Sequence, residues 1–220
     1  MRAKWLQIVF PVVGLAALGS ATAVAQVGAA VRGASQTDVA VSVYGAFSGT
    51  TNGNGTAQSP ANAAGGMVEL RYIGNPIEGF EVAYSFNRAN QEYSATSYAC
   101  PVGVVPPCSA PPPAAVSANA HEIQGDWVAS LKIANLRPFG LLGAGLLLDE
   151  PVSGQSGTSS STKPVLVYGA GLDWGLLPHI GLRLQYRGNL YKAPDLTKLY
   201  TSTSAFTHTA EPVIGAYFRF

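Results

Sequence analysis

The sequence predicts an all-β protein, an eight-stranded antiparallel up-and-down transmembrane β-barrel after a cleaved N-terminal signal peptide. Three observations carry the prediction. Apolar and polar residues alternate with period two through eight segments. The connections between those segments alternate between tight turns and long polar stretches. The final segment, Val213-Ile214-Gly215-Ala216-Tyr217-Phe218-Arg219-Phe220, runs in alternation to an aromatic residue.

The N-terminus reads as a secretory signal. Arg2 and Lys4 precede a mostly apolar run from Trp5 to Leu18, interrupted by Pro11 and Gly14, and Ala23-Val24-Ala25 forms a small-x-small cleavage site before Gln26. The run is too short for a membrane anchor and ends in small residues rather than a basic patch. No cysteine lies near the cut, which argues against a lipoprotein. Beyond it, no apolar run approaches the length of a membrane helix. Charged residues make up 11% of the chain, and the net charge of +1 offers no basic field for nucleic acid. The roughly 195 residues after the cut suit one domain.

The eight segments are residues 38–48, 66–74, 79–93, 119–133, 137–149, 164–175, 180–192 and 205–220. Tight connections fall at Asn75-Pro76-Ile77-Glu78, Ala134-Asn135-Leu136 and Leu176-Leu177-Pro178-His179, while the long ones are 49–65, 94–118, 150–163 and 193–204. Outer-membrane barrels have this layout, with brief periplasmic turns and longer extracellular loops. A soluble lipocalin has the same strand count but turns its apolar face inward.

The charges decide between the two. Val68, Leu70 and Tyr72 oppose Glu69 and Arg71; Phe80, Val82, Tyr84 and Phe86 oppose Glu81; Ile123 and Trp127 oppose Glu122, Asp126 and Lys132. Tyr168, Leu172 and Trp174 oppose Asp173; Leu182, Leu184 and Tyr186 oppose Arg183 and Arg187; Ile214, Phe218 and Phe220 oppose Glu211 and Arg219. A lipid-facing Arg or Lys at the midplane costs about 2–4 kcal/mol, so a membrane barrel sorts its charges in this way. The rings also decide, because a lumen only wide enough for side chains would be overfilled by them. Segment 137–149 (Phe139-Gly140-Leu141-Leu142-Gly143) alternates poorly.

The inward set is Glu69, Glu81, Glu122, Asp126, Asp173 and Glu211 against Arg71, Lys132, Arg183, Arg187 and Arg219, a near-neutral balance. Arg71 with Glu81 and Asp173 with Arg183 straddle turns at equal spacing, which predicts cross-strand pairs. Glu211 and Arg187 sit at similar depth, close enough for Asp126 to join. The set is expected to form a salt-bridged plug rather than a gate, and so a largely closed lumen. A small-solute pore is the alternative.

No chemistry-bearing motif stands out. No His, Cys or Asp cluster has metal-ligand spacing, no phosphate loop is present, and no cofactor is implied. His121 and His208 fall near outer strand ends and His179 in a turn; His208-Thr209-Ala210 lacks the His-x-Ser of a deacylase. Cys100 and Cys108 are expected to form a disulfide within the long second loop, next to Pro111-Pro112-Pro113. The first and third loops, rich in Gly, Ser, Thr and Asn, are expected to be flexible.

Gly215, Phe218 and Phe220 occupy the positions of the C-terminal signal of outer-membrane barrels, with Val213 standing where a polar residue is usual. Together with the architecture and strand parity, these residues resemble the small outer-membrane β-barrel family of the OmpA transmembrane domain and OmpX-like proteins. The resemblance implies a monomer in the bacterial outer membrane, surrounded by its lipid and inserted by the barrel-assembly machinery. The domains expected are a signal peptide (1–25), an N-terminal periplasmic segment (26–37) and the barrel (38–220), with no peptidoglycan-binding domain after Phe220. The implied function is non-enzymatic: envelope integrity, or surface interaction with a ligand of the extracellular loops. A lipid A-modifying enzyme and a soluble lipocalin-like carrier are the lesser alternatives.

Overall fold

A computed structural model describes residues 35–74, 77–96 and 111–220. The predicted signal peptide, most of segment 26–37, the Asn75-Pro76 pair and both cysteines lie outside these residues. Every regular element among the described residues is a strand: β1 (Gln36–Ser48), β2 (Thr51–Gly53), β3 (Thr56–Pro60), β4 (Ala63–Ile73), β5 (Glu78–Ala95), β6 (Ala114–Ser130), β7 (Leu136–Pro151), β8 (Ser161–Gly175), β9 (Ile180–Lys192) and β10 (Phe206–Arg219). Eight of the ten close into an antiparallel barrel in the order β5-β4-β1-β10-β9-β8-β7-β6, with β6 returning to β5.

Parity follows the sequence. Val41, Val43, Val68, Leu70, Phe80, Val82, Ile123, Leu142, Leu166, Leu184 and Ile214 are exposed on the outer wall. Glu69, Arg71, Glu81, Glu122, Asp126, Asp173, Arg183, Arg187 and Glu211 are buried in the lumen. A water-soluble barrel would need the reverse arrangement. Near the turn end, Tyr72, Phe80, Trp127, Trp174 and Phe218 form an exposed aromatic ring, the girdle of a membrane interface.

Four features depart from the sequence reading. First, the loop at 49–65 is not a flexible coil. Asn54 (φ 50°) and Gly55 (φ 77°) both take positive φ, the two-residue turn that matches strand twist, and β2 and β3 form a hairpin around them. β3 then extends the sheet along the outer end of β5, pairing Thr56 with Ala95 and Pro60 with Gln91. Second, β6 stops at Ser130, so Lys132 lies exposed in the turn rather than in the lumen. Third, β7 alternates after all: Phe139, Leu141 and Leu147 point inward and pack with Val128, Val165 and Val167 as an apolar wall, while Leu142 and Leu146 face out. Fourth, the buried charges are unbalanced. Asp38, Asp149 and Arg137 join the lumen, so that eight carboxyl groups are buried against four guanidiniums.

The first and last strands meet at the β1–β10 seam, which runs from Asp38 opposite Arg219 to Ser48 opposite Thr209. Pairing lapses between Tyr44–Val213 and Phe47–Ala210, where Pro212 has no N–H to give. Gly215 is required at this seam: a Cβ there would run into Ser42 Oγ and lie 2.7 Å from the carbonyl oxygen of Val41.

Strand length sets where the ends stand. A membrane-crossing strand needs about 9–11 residues, whereas β5 has 18, β6 17 and β7 16. The β6–β7 and β8–β9 turns share one end with the start of β1 and the end of β10. The surplus length therefore lies at the loop end, and that end stands clear of the bilayer.

Candidate functional site

The lumen is organised in three levels, each set by strand register. At the turn-side half, three arginines tie five acids together. Arg71 donates from Nε to Glu81 Oε2 (2.6 Å) and from Nη1 to Asp173 Oδ2 (3.1 Å). Arg183 donates from Nε to Asp173 Oδ1 (2.7 Å) and from Nη2 to Asp38 Oδ1 (2.8 Å). Arg187 donates from Nη1 to Asp126 Oδ2 (3.1 Å), and its Nη2 reaches Glu69 Oε1 (3.2 Å) and Glu81 Oε1. Ser42 Oγ (2.7 Å) and Gln185 Nε2 (2.6 Å) also donate to Glu69, so its carboxylate is satisfied by neutral donors as well. Phe139 lies under the cluster, with Arg71 Cζ 4.0 Å from its ring centroid.

The predicted Arg71–Glu81 and Asp173–Arg183 pairs are both present in this cluster. The expected Glu211–Arg187 pair is not formed. The two residues face each other across β9 and β10, but Arg187 turns to Glu69, Glu81 and Asp126 instead. Asp38 and Phe139 were missed. The first sits at the start of its strand and the second interrupts a weak alternation.

Above the plug is a cavity of about 40 Å³, lined by Glu122, Asp149, Asn189, Tyr191, Thr209 and Glu211 among others. Asn189 donates to Glu122 Oε2 (3.1 Å), Tyr191 and Thr209 hydroxyls bond at 2.9 Å, and among the described residues no arginine forms an ion pair with Glu122, Asp149 or Glu211.

The fourth loop roofs this level. Leu196 is 0% exposed and packs on Tyr93, Val116 and Ala118, with Tyr200 stacked on Tyr93. Tyr93 is the clasp: its hydroxyl donates to Pro194 O (2.9 Å) and accepts from Leu196 N (3.2 Å). Lys163–Asp195 (2.9 Å) and a Thr158–Thr197 bridge tie the third loop to the fourth. Asn54 Nδ2 ties the hairpin to Ser202 O (2.8 Å). Gln155 completes the set by pairing with both backbone groups of Ser117 (3.1 and 2.9 Å). Of these, the Asn54-Gly55 dipeptide was the legible signal, since it is the strongest short-range mark of a hairpin.

At the turn end, Arg137, Lys132, Tyr217 and Arg219 line a cavity of about 140 Å³ together with Asp173 and the turn residues. Arg219, from the predicted set, is half-buried there and donates from Nη2 to Tyr217 O–H (3.1 Å), with no acid as partner among the described residues.

The histidines lie on the outer wall or in a turn. His121 shares a hydrogen bond with Tyr84 O–H (2.8 Å) and His208 with Tyr168 O–H (2.9 Å), both on the lipid side. His179 stacks on Phe218 at the turn end. None of these contacts is a hydroxyl–His–acid relay. Among the described residues, no group of His, Cys, Asp and Glu has the geometry to hold a metal ion.

Known proteins agree with the geometry. The chain matches the outer membrane protein beta-barrel domain over residues 13–210. Similar solved structures include Neisserial surface protein A (17% identity, 84% of this chain and 97% of that one, TM-score 0.57). Another is OprG from Pseudomonas aeruginosa (13% identity, 85% and 96%, TM-score 0.55). A third is Ail, the attachment invasion locus protein of Yersinia pestis (16% identity, 86% and 100%, TM-score 0.50). No curated protein matches the chain significantly in sequence. With a lipid-facing apolar wall, a charged lumen and a family match over most of its length, the chain belongs to the outer-membrane protein β-barrel domain family and resides in the bacterial outer membrane.

Proposed function

We propose that this protein is a closed, non-enzymatic barrel that acts through its extracellular end, in surface interaction, rather than by passing solutes or modifying lipid. The observation that carries this reading is that the lumen is obstructed twice. The arginine–carboxylate plug fills its turn-side half, and Leu196, held by Tyr93, roofs the outer end. Between them lies a small cavity of about 40 Å³ above Arg187. Long strands and cross-tied loops support the same reading, because they build a fixed platform above the bilayer on which Leu199 and Phe206 are exposed. Rigid aromatic and aliphatic groups on such a platform are suited to contacting a partner.

Planar-bilayer recording and a complementation assay test this together. The purified protein is expected to show no steady single-channel current; a large, sustained current would establish the small-solute pore instead. In a strain lacking the gene, detergent resistance and surface attachment are compared after complementation with the full chain or with one shortened at 152–160 and 193–204. Attachment restored only by the full chain supports a loop-mediated role. Equal attachment with both chains overturns it and leaves envelope integrity, carried by the barrel wall.

A further inference from the structure

We propose that the periplasmic mouth of the barrel is a phosphate-binding site built by Arg137, Arg219 and Lys132. Arg137 is the core of the argument. It is only 8% exposed, and it sits in register opposite Asp173 at the β7–β8 pair. Asp173 is nonetheless committed elsewhere, with Oδ1 to Arg183 (2.7 Å) and Oδ2 to both Arg183 and Arg71 (3.1 Å each). Arg137 makes no hydrogen bond or ion pair among the described residues, and its Nη1 is buried without a partner. Arg219 adds a second guanidinium whose Nε is buried and also unpartnered.

The same lumen shows why this matters. Carboxyl groups also lack a base in the upper cavity, but a carboxyl group in an apolar place can shed its charge by taking up a proton. A guanidinium has no such escape, because it stays charged in any protein environment. Acids of the plug lie near Arg137 but none accepts a hydrogen bond from it, so an anion in the mouth would engage buried donors that the plug leaves free.

The ligand class follows from the donors. Two guanidiniums, the exposed Lys132 ammonium and the Tyr217 phenol line one cavity of about 140 Å³, with a single carboxylate that is already occupied. Forked N–H donors from two sides, plus an ammonium, fit the oxygens of a doubly charged phosphate better than a single planar carboxylate. The mouth opens toward the periplasm at the level of the inner-leaflet headgroups. The phosphate can therefore belong to a soluble phosphomonoester or to a lipid headgroup.

Isothermal calorimetry on the full-length protein, folded in a phosphate-free detergent, is the test. Inorganic phosphate is expected to bind with one-to-one stoichiometry. Arg137→Gln should weaken binding at least tenfold and Lys132→Gln several-fold; Lys132 is exposed, so its substitution leaves the barrel intact. A parallel arm adds bicelles of phosphatidylcholine with and without phosphatidic acid. Binding of phosphatidic acid alone, weakened in Lys132→Gln and Arg137→Gln, identifies the headgroup as the source; binding of inorganic phosphate identifies the soluble one. No binding in either arm, or binding unchanged in both variants, overturns the proposal.

Discussion

Replacing Arg187 by Met tests whether the plug is held by charge or merely by bulk. Met preserves much of the stem volume and removes the cation. Three carboxylates lose a contact, but unequally. Glu81 keeps Arg71 at 2.6 Å, and Glu69 keeps Ser42 and Gln185, whereas Asp126 has Arg187 as its one ion-pair partner. Removing one member of a buried ionic cluster costs about 3–5 kcal/mol, mainly through the charge left behind. That amounts to roughly two to four orders of magnitude in the folding equilibrium. Because most of the penalty sits on Asp126, the Arg187→Met/Asp126→Asn double variant should recover about 1–3 kcal/mol. Equilibrium unfolding in urea from phosphatidylcholine vesicles, followed by fluorescence of the lipid-facing Trp127 and Trp174, measures both. A single variant within about 1 kcal/mol of the parent, or a double variant with no recovery, would refute the electrostatic account and leave the arginine as filler.

Two further outcomes follow from the seam and the roof. Gly215→Val forces a branched side chain against Ser42 and Val41, so the barrel should lose about 1–3 kcal/mol and assemble in lower yield. Deleting Phe220 should also reduce assembly, through loss of the terminal aromatic; heat-shifted mobility of outer-membrane fractions in SDS reads both, and normal folded levels of either would count against the reasoning. Leu196→Asp places a carboxylate where no exposure exists, so the fourth loop should detach while the barrel persists. Trypsin on intact cells should then cut at Lys198, and resistance equal to that of the parent would show that the roof does not depend on Leu196.

The barrel was legible because lipid outside and charge inside impose opposite chemistry on alternate residues. β4, β5, β6 and β9 wear that pattern openly. β7 obscured it, because Phe139 and Leu141 are apolar on the inward face, where one serves as a platform for Arg71. At Leu131-Lys132-Ile133 the alternation outlasted the strand, which carried Lys132 wrongly into the lumen. Arg137, just past the same turn, is the cation the lumen actually holds at that end. The two turn-straddling pairs could be read from equal spacing. The failure of Glu211 to pair could not, because it depends on three acids from β4, β5 and β6 competing for one arginine. The roof is a tertiary contact between distant loops, and only its Asn54-Gly55 hairpin has a local signature.

The lapse opposite Pro212 bears on how the cylinder closes. Strands β1 and β10 lie at opposite ends of the folded domain, so joining them surrenders more chain entropy than any hairpin pairing. It is expected to be the last join made. The same line of contact lacks rungs between Tyr44–Val213 and Phe47–Ala210, part-way along its length. The last seam to zip is thus also the one with a built-in gap. Amide exchange should run fastest along β1 and β10 on either side of Gly45 and Ala46, and a lateral breach of the wall should start there.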